Sequence, residues 1–117
     1  MKNVAETRVR YLADPLPRRL GALAADLARV ASSARHVAGA ESVALMLEES
    51  LYFIEWTAAE LAPEVAAELV DIQIMLALWQ RVWLEAQHSQ SQRTLLAFQA
   101  KKWSDQILDF SGLLIPN

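Results

Sequence analysis

Between residues 65 and 86 the apolar side chains are spaced four, three, four, three, four, three apart: Val65, Leu69, Ile72, Leu76, Trp79, Trp83 and Ala86. At 3.6 residues per turn these positions share one side of a helix, whereas a strand would scatter them over both faces. The same rhythm runs through Leu16, Leu20, Leu23, Leu27, Val30 and Ala34, and through Leu47, Leu51, Ile54 and Ala58. It returns in Leu96, Ala100, Trp103, Ile107 and Phe110. A helix with one apolar side must bury that side against another, so four such stripes demand a bundle. Helices of this length are each about 30 Å long, and short loops between them force antiparallel neighbours. The expected fold is all-α: an antiparallel up-and-down four-helix bundle with a short extra N-terminal helix, one domain over residues 1–117.

Local signals set the boundaries. Asn3 with Glu6 reads as a capping box opening a short helix that ends before Asp14. Asp14-Pro15 reads as an N-cap followed by a first-turn proline, whose missing N–H costs nothing there. The second helix then runs from about Pro15 to His36, with Gly21 inside it as a point of close helix approach and Gly39 as a left-handed stop. The third spans about Glu41 to Trp56 or Leu61, Thr57 with Glu60 being a further capping box, and Pro63 marks a boundary before the fourth. Ser89 with Gln92 caps the fifth and Gly112 closes it.

Composition supports helix and excludes several chemistries. The chain leans on Ala and Leu, which lose little freedom in a helix, and has only three Gly and four Pro. It has no Cys, which removes disulfides, thiolate metal sites and a cysteine nucleophile, and suits a cytoplasmic setting. Residues 69–84, the most apolar stretch, are interrupted by Asp71, Gln73, Gln80 and Arg81, which argues against a membrane span. The net charge of −3 is unevenly laid out: +4 over residues 1–36, −8 over 37–71 and +1 over the rest. A basic arm beside an acidic one predicts pairing between the second and third helices.

No residue set calls for a cofactor, a metal or a catalytic role. Glu85-x-x-His88 has the spacing of carboxylate-bridged di-iron bundles, but such a site needs a second Glu-x-x-His, and Ser33 stands three residues before His36. Arg29 and His36, with six residues between them, resemble the Arg–His element of HEPN-type ribonucleases. That resemblance implies a nucleic-acid-acting alternative, yet core residue Val30 follows the arginine where the family has a polar one. Arg18 and Arg29 nearly coincide on a helical wheel, but Arg19 and Arg35 scatter widely, and the acidic balance argues against a dedicated nucleic-acid binder. The acidic run from Glu48 to Asp71 contains no His, and no Gly-rich phosphate loop is present.

The positive signal is surplus hydrophobicity. Leu45, Tyr52 and Trp56 lie nearly opposite the third helix's seam, and Ile74 and Leu78 lie off that of the fourth. A helix apolar nearly all round must be buried on more than one side. Either Val4, Val9, Tyr11 and Leu12 with the tail Leu113-Leu114-Ile115 cover this second face, or another protein does, a second copy making a homodimer. Leu45, Tyr52, Trp56, Ile74 and Leu78 are therefore the candidate interaction face.

Asp14-Pro15-Leu16-Pro17-Arg18-Arg19-Leu20-Gly21, Glu48-Glu49-Ser50 leading into Phe53-Ile54-Glu55-Trp56-Thr57-Ala58, Leu76-Ala77-Leu78-Trp79-Gln80-Arg81 and Ser111-Gly112-Leu113-Leu114 taken together resemble a family of small, uncharacterised all-helical proteins encoded by cyanobacteria. The resemblance implies a helical fold and a cytoplasmic setting, and no assigned activity. Arg18, Arg19 and Glu55 are the candidate polar site in those stretches.

Overall fold

Five α-helices build the fold, and no strand occurs among residues 3–112, which the computed structural model describes. They are α1 (Val4–Ala13), α2 (Leu16–Ser33), α3 (Ala40–Thr57), α4 (Pro63–Ala86) and α5 (Gln90–Ser111). Single 3-10 turns at Val37–Gly39 and Ala58–Glu60 lead out of α2 and α3. No described helix is long and apolar enough to cross a membrane.

The expected stripes make the core. Leu20, Leu23, Leu27 and Val30 of α2 are buried with Leu47 and Ile54 of α3, Leu69, Ile72, Leu76, Trp79 and Trp83 of α4, and Leu96, Ala100 and Ile107 of α5. Both buried tryptophans find an acceptor for the ring N–H, as burial requires. Trp83 Nε1 donates to the Ala40 carbonyl oxygen at 2.9 Å, and Trp79 Nε1 to Gln99 Oε1 at 2.7 Å. α2 packs most extensively on α5, where its Ala24 and Ala31 and the Ala97 and Ala100 of α5 are all buried. Ser104 Oγ donates to the Ala24 carbonyl oxygen across the two helices at 2.7 Å. α4 and α5, by contrast, meet over a narrow seam.

Several local expectations change. Asn3 adopts a left-handed backbone (φ 59°), so its side chain bonds Glu6 Oε2 through Nδ2 at 2.6 Å rather than capping a backbone N–H. α2 starts one residue later than expected, with Pro15 as N-cap and Pro17 in the first turn, and stops at Ser33. Gly39 is not left-handed; it has φ −88°. Its requirement is space, since a Cβ there would stand 2.3 Å from the Ser33 carbonyl oxygen. Thr57 caps nothing because its hydroxyl is engaged by Tyr11. Ser89 does accept from the Gln92 N–H, at 3.3 Å, and Gly112 is left-handed with φ 75°.

Candidate interaction surface

The stripe that buries Leu69, Ile72, Leu76, Trp79 and Trp83 leaves the other sides of α4 to face outward, and those sides are also apolar. Ile74 is 56% exposed and Leu78 49%, with Met75 and Val82 beside them. Leu95 and Phe98, three residues apart on α5, continue the patch, and Phe98 is 66% exposed. The narrow α4–α5 seam opens here into a cleft of about 200 Å³ lined by Met75, Leu78, Trp79, Val82, Gln92, Leu95 and Gln99. A lone exposed Leu is ordinary on a protein surface, but six adjoining apolar side chains are not. Met75, Val82, Leu95 and Phe98 were missed by the sequence reading, although Phe98 lies off the Leu96/Ala100 seam on a helical wheel.

The expected face thus divides. Ile74 and Leu78 belong to the α4–α5 patch, and Leu45 is exposed on α3. Tyr52 and Trp56 are half-buried and stacked on each other, their ring centroids 5.4 Å apart. Trp56 also meets the rings of Tyr11 and Phe53, at 5.9 and 6.1 Å. Between α3 and α4 lies a cleft whose lining is largely polar: Glu48, Leu51, Tyr52, Glu55, Gln73 and Gln80.

The N-terminal helix covers α3, not the patch. Tyr11 is the buried residue of α1, stacked on Phe53 with centroids 4.0 Å apart and rings 9° from parallel. Its hydroxyl donates to the Arg19 carbonyl oxygen at 3.1 Å and shares a 2.9 Å hydrogen bond with Thr57 Oγ1. Burial pushes the Tyr11 pKa up to about 12. Val4 is half-buried, Val9 and Leu12 are exposed, and Leu113-Leu114-Ile115 lie outside the described residues.

The polar candidates fall in different places. Arg19 is 6% exposed and grips Glu60 with both guanidinium nitrogens, at 2.7 and 2.9 Å, while its Nε donates to the Asp14 carbonyl oxygen at 3.0 Å. That hydrogen-bonded pairing holds the Glu60 carboxyl below its ordinary pKa. It is the pairing of basic and acidic arms that the charge layout predicts. Arg18 points to solvent, 3.9 Å from Asp14, and Glu55 lines the α3–α4 cleft, so the two arginines and Glu55 form no common site. Arg29 is committed to Asp26, and His36 is exposed in the turn after α2. Glu85 and His88 are both exposed, linked only through the His88 N–H and the Glu85 carbonyl oxygen. Among the described residues no three His, Asp or Glu side chains gather to hold a metal ion.

One polar feature escaped the sequence reading. Asp26 is 1% exposed on the side of α2 facing α3. Burial, and then the neighbouring Glu49 carboxyl, pushes its pKa up to about 7 against the opposing pull of Arg29. Its distance of three residues from Leu23, which places it beside the core stripe, was the available signal. Compared with known proteins, the chain matches no family model, no curated protein and no solved structure.

Proposed function

We propose that the chain is a non-enzymatic helical-bundle protein that acts through protein–protein contacts and pairs with a second copy of itself through the α4–α5 patch. The observation that carries this reading is the adjoining exposure of Ile74, Met75, Leu78, Val82, Leu95 and Phe98. Helices α2 to α5 are taken as an up-and-down antiparallel bundle. Contacts at matched levels support it: Trp83 with Ala40 and Glu55 facing Gln73 between α3 and α4, and Trp79 with Gln99 and Glu68 with Gln106 between α4 and α5. The cysteine-free composition fits work in the cytoplasm.

A second copy is favoured as occupant by area and charge, since α1 is held on α3. Complete burial of these six side chains on both copies would remove about 1,100 Å², just short of the about 1,200 Å² at which specific interfaces begin and with the rim still to be added. A two-fold pairing uses the same patch on both chains. The nearby exposed charges are of both signs, Asp71, Arg81 and Glu85 on α4 and Lys102 on α5, so like-charge repulsion does not oppose self-pairing.

Light scattering on a size-exclusion column at tens of micromolar tests this. The expected result is a dimer that becomes a monomer in Phe98→Glu and Leu78→Glu, with the helical circular dichroism retained. A wild-type monomer refutes self-pairing. A dimer that survives both substitutions refutes this face.

A further inference from the structure

The seam between α2 and α3 contains two acids where apolar or oppositely charged groups are the rule. One oxygen of the buried Asp26 carboxyl accepts from Arg29 Nη2, and Oδ2 meets no donor among the described residues. Within hydrogen-bonding reach of the Asp26 carboxyl lies the carboxyl of Glu49. Two ionised carboxylates can only repel, because each is purely an acceptor; they bond once one of them carries a proton. Arg29 offsets only part of this, being one charge, 59% exposed and screened by solvent.

Other groups around the pair fix what happens when the proton leaves. From α1, Tyr11 senses the Asp26 charge, and its own neighbours Arg19 and Glu60 neutralise each other. On the far side of α2, α5 contributes the Ser104 hydroxyl, bonded to the Ala24 carbonyl oxygen, while its Lys101 and Asp105 pair together. The cation that shares a cleft with Glu49 is Arg10. Glu49 and Arg10 line one open cleft with Thr7, Tyr11, Asp14 and Phe53, at the junction of α1 and α3.

We propose that Asp26 and Glu49 share one proton and form a pH-sensitive latch between α2 and α3, which releases Glu49 toward Arg10 of α1 when that proton is lost to water. With the proton in place the pair carries one negative charge, matched by Arg29. Without it the pair carries two, and the carboxylate with access to the cleft is the one that moves. The latch is separate from the α4–α5 patch and stands whether or not the chain pairs with itself.

The sign of the pH effect follows from linkage. The folded chain keeps a proton that the unfolded chain releases near the ordinary Asp value of 3.8, and gives it up only near 7. Stability therefore falls as pH rises across that window and is level above it, the unfolding constant rising up to about tenfold per pH unit. Carboxyl-detected NMR of the intact protein, with urea melts at pH 5 to 8, tests it. We expect one carboxyl of the pair to titrate near pH 7 and wild-type stability to drop across the series. Asp26→Asn, a near-isostere that cannot ionise, should remove that drop, and Glu49→Gln should lessen it, because burial still raises Asp26 without its neighbour. In Arg10→Ala the NMR midpoint should rise, since ionised Glu49 loses its partner. Both carboxyls of the pair titrating below pH 5, or an unchanged slope in either isostere, overturns the shared proton. An unmoved midpoint in Arg10→Ala overturns the release toward α1.

Discussion

Replacing Tyr11 by Phe isolates the polar half of the attachment between α1 and the rest of the chain. The stack on Phe53, 4.0 Å between centroids, survives the change, while the hydrogen bonds to the Arg19 carbonyl oxygen and Thr57 Oγ1 are lost. Each contributes about 1 kcal/mol net, and leaving a buried partner unpaired adds to the cost. Thr57 is fully buried, but a threonine hydroxyl in a helix can turn to a carbonyl one turn back and recover part of it. The expected loss is about 1.5–2.5 kcal/mol, a fall in Tm of about 5–10 °C for a domain of this size. Urea melts measure it, and hydrogen exchange along α1 should quicken. Because the two hydroxyls act on each other, Tyr11→Phe and Thr57→Val should be non-additive by about 1 kcal/mol in a double-mutant cycle. The wild type should also lose stability between pH 10 and 12, where the folded chain holds a phenol proton that the unfolded chain has released, and Tyr11→Phe should lose less. A loss under about 0.5 kcal/mol, or an additive cycle, refutes the account.

Two further outcomes are expected from urea melts. Gly39→Ala should cost about 1–3 kcal/mol, because the new methyl meets the Ser33 carbonyl oxygen, which belongs to backbone and has little room to retreat; a neutral result refutes the close approach. Leu27→Ala, at a side chain with no exposure, should cost about 3–5 kcal/mol, whereas Leu84→Ala, at one 78% exposed, should stay within about 0.5 kcal/mol. Similar costs at the two positions would refute the assignment of the core.

The helices were legible because the information for them is local. A 4–3 spacing places Leu20, Leu23 and Leu27 on one side of α2 whatever surrounds it, and Pro63, Ser89 and Gly112 act on their own backbone. The misread positions depend on groups outside their own turn. Gly39 is explained by Ser33 passing close to it, and Thr57 by a tyrosine forty-six residues earlier in the chain. Surplus apolar residues could be counted from sequence, but which become a surface depends on how neighbouring helices space themselves. Trp56 is drawn into a cluster with Tyr11 and Phe53, while Leu78 is left open because α5 stands off from α4. Asp26 and Glu49 are neighbours only once α2 and α3 are packed, so their mutual effect has no signature in either segment alone.

The pairing of α2 with α5 has a consequence for how the chain is made. Small alanines let these helices lie close, yet Ala24 and Ser104 are joined across eighty residues of intervening chain. During synthesis α2 leaves the ribosome long before its principal partner exists, and its Ala24–Ala31 side waits uncovered until residue 104 emerges. Closing so long a loop is slow compared with forming the local helices. A nascent chain stalled before α5 would present a sticky, half-finished bundle, the species on which holding chaperones act.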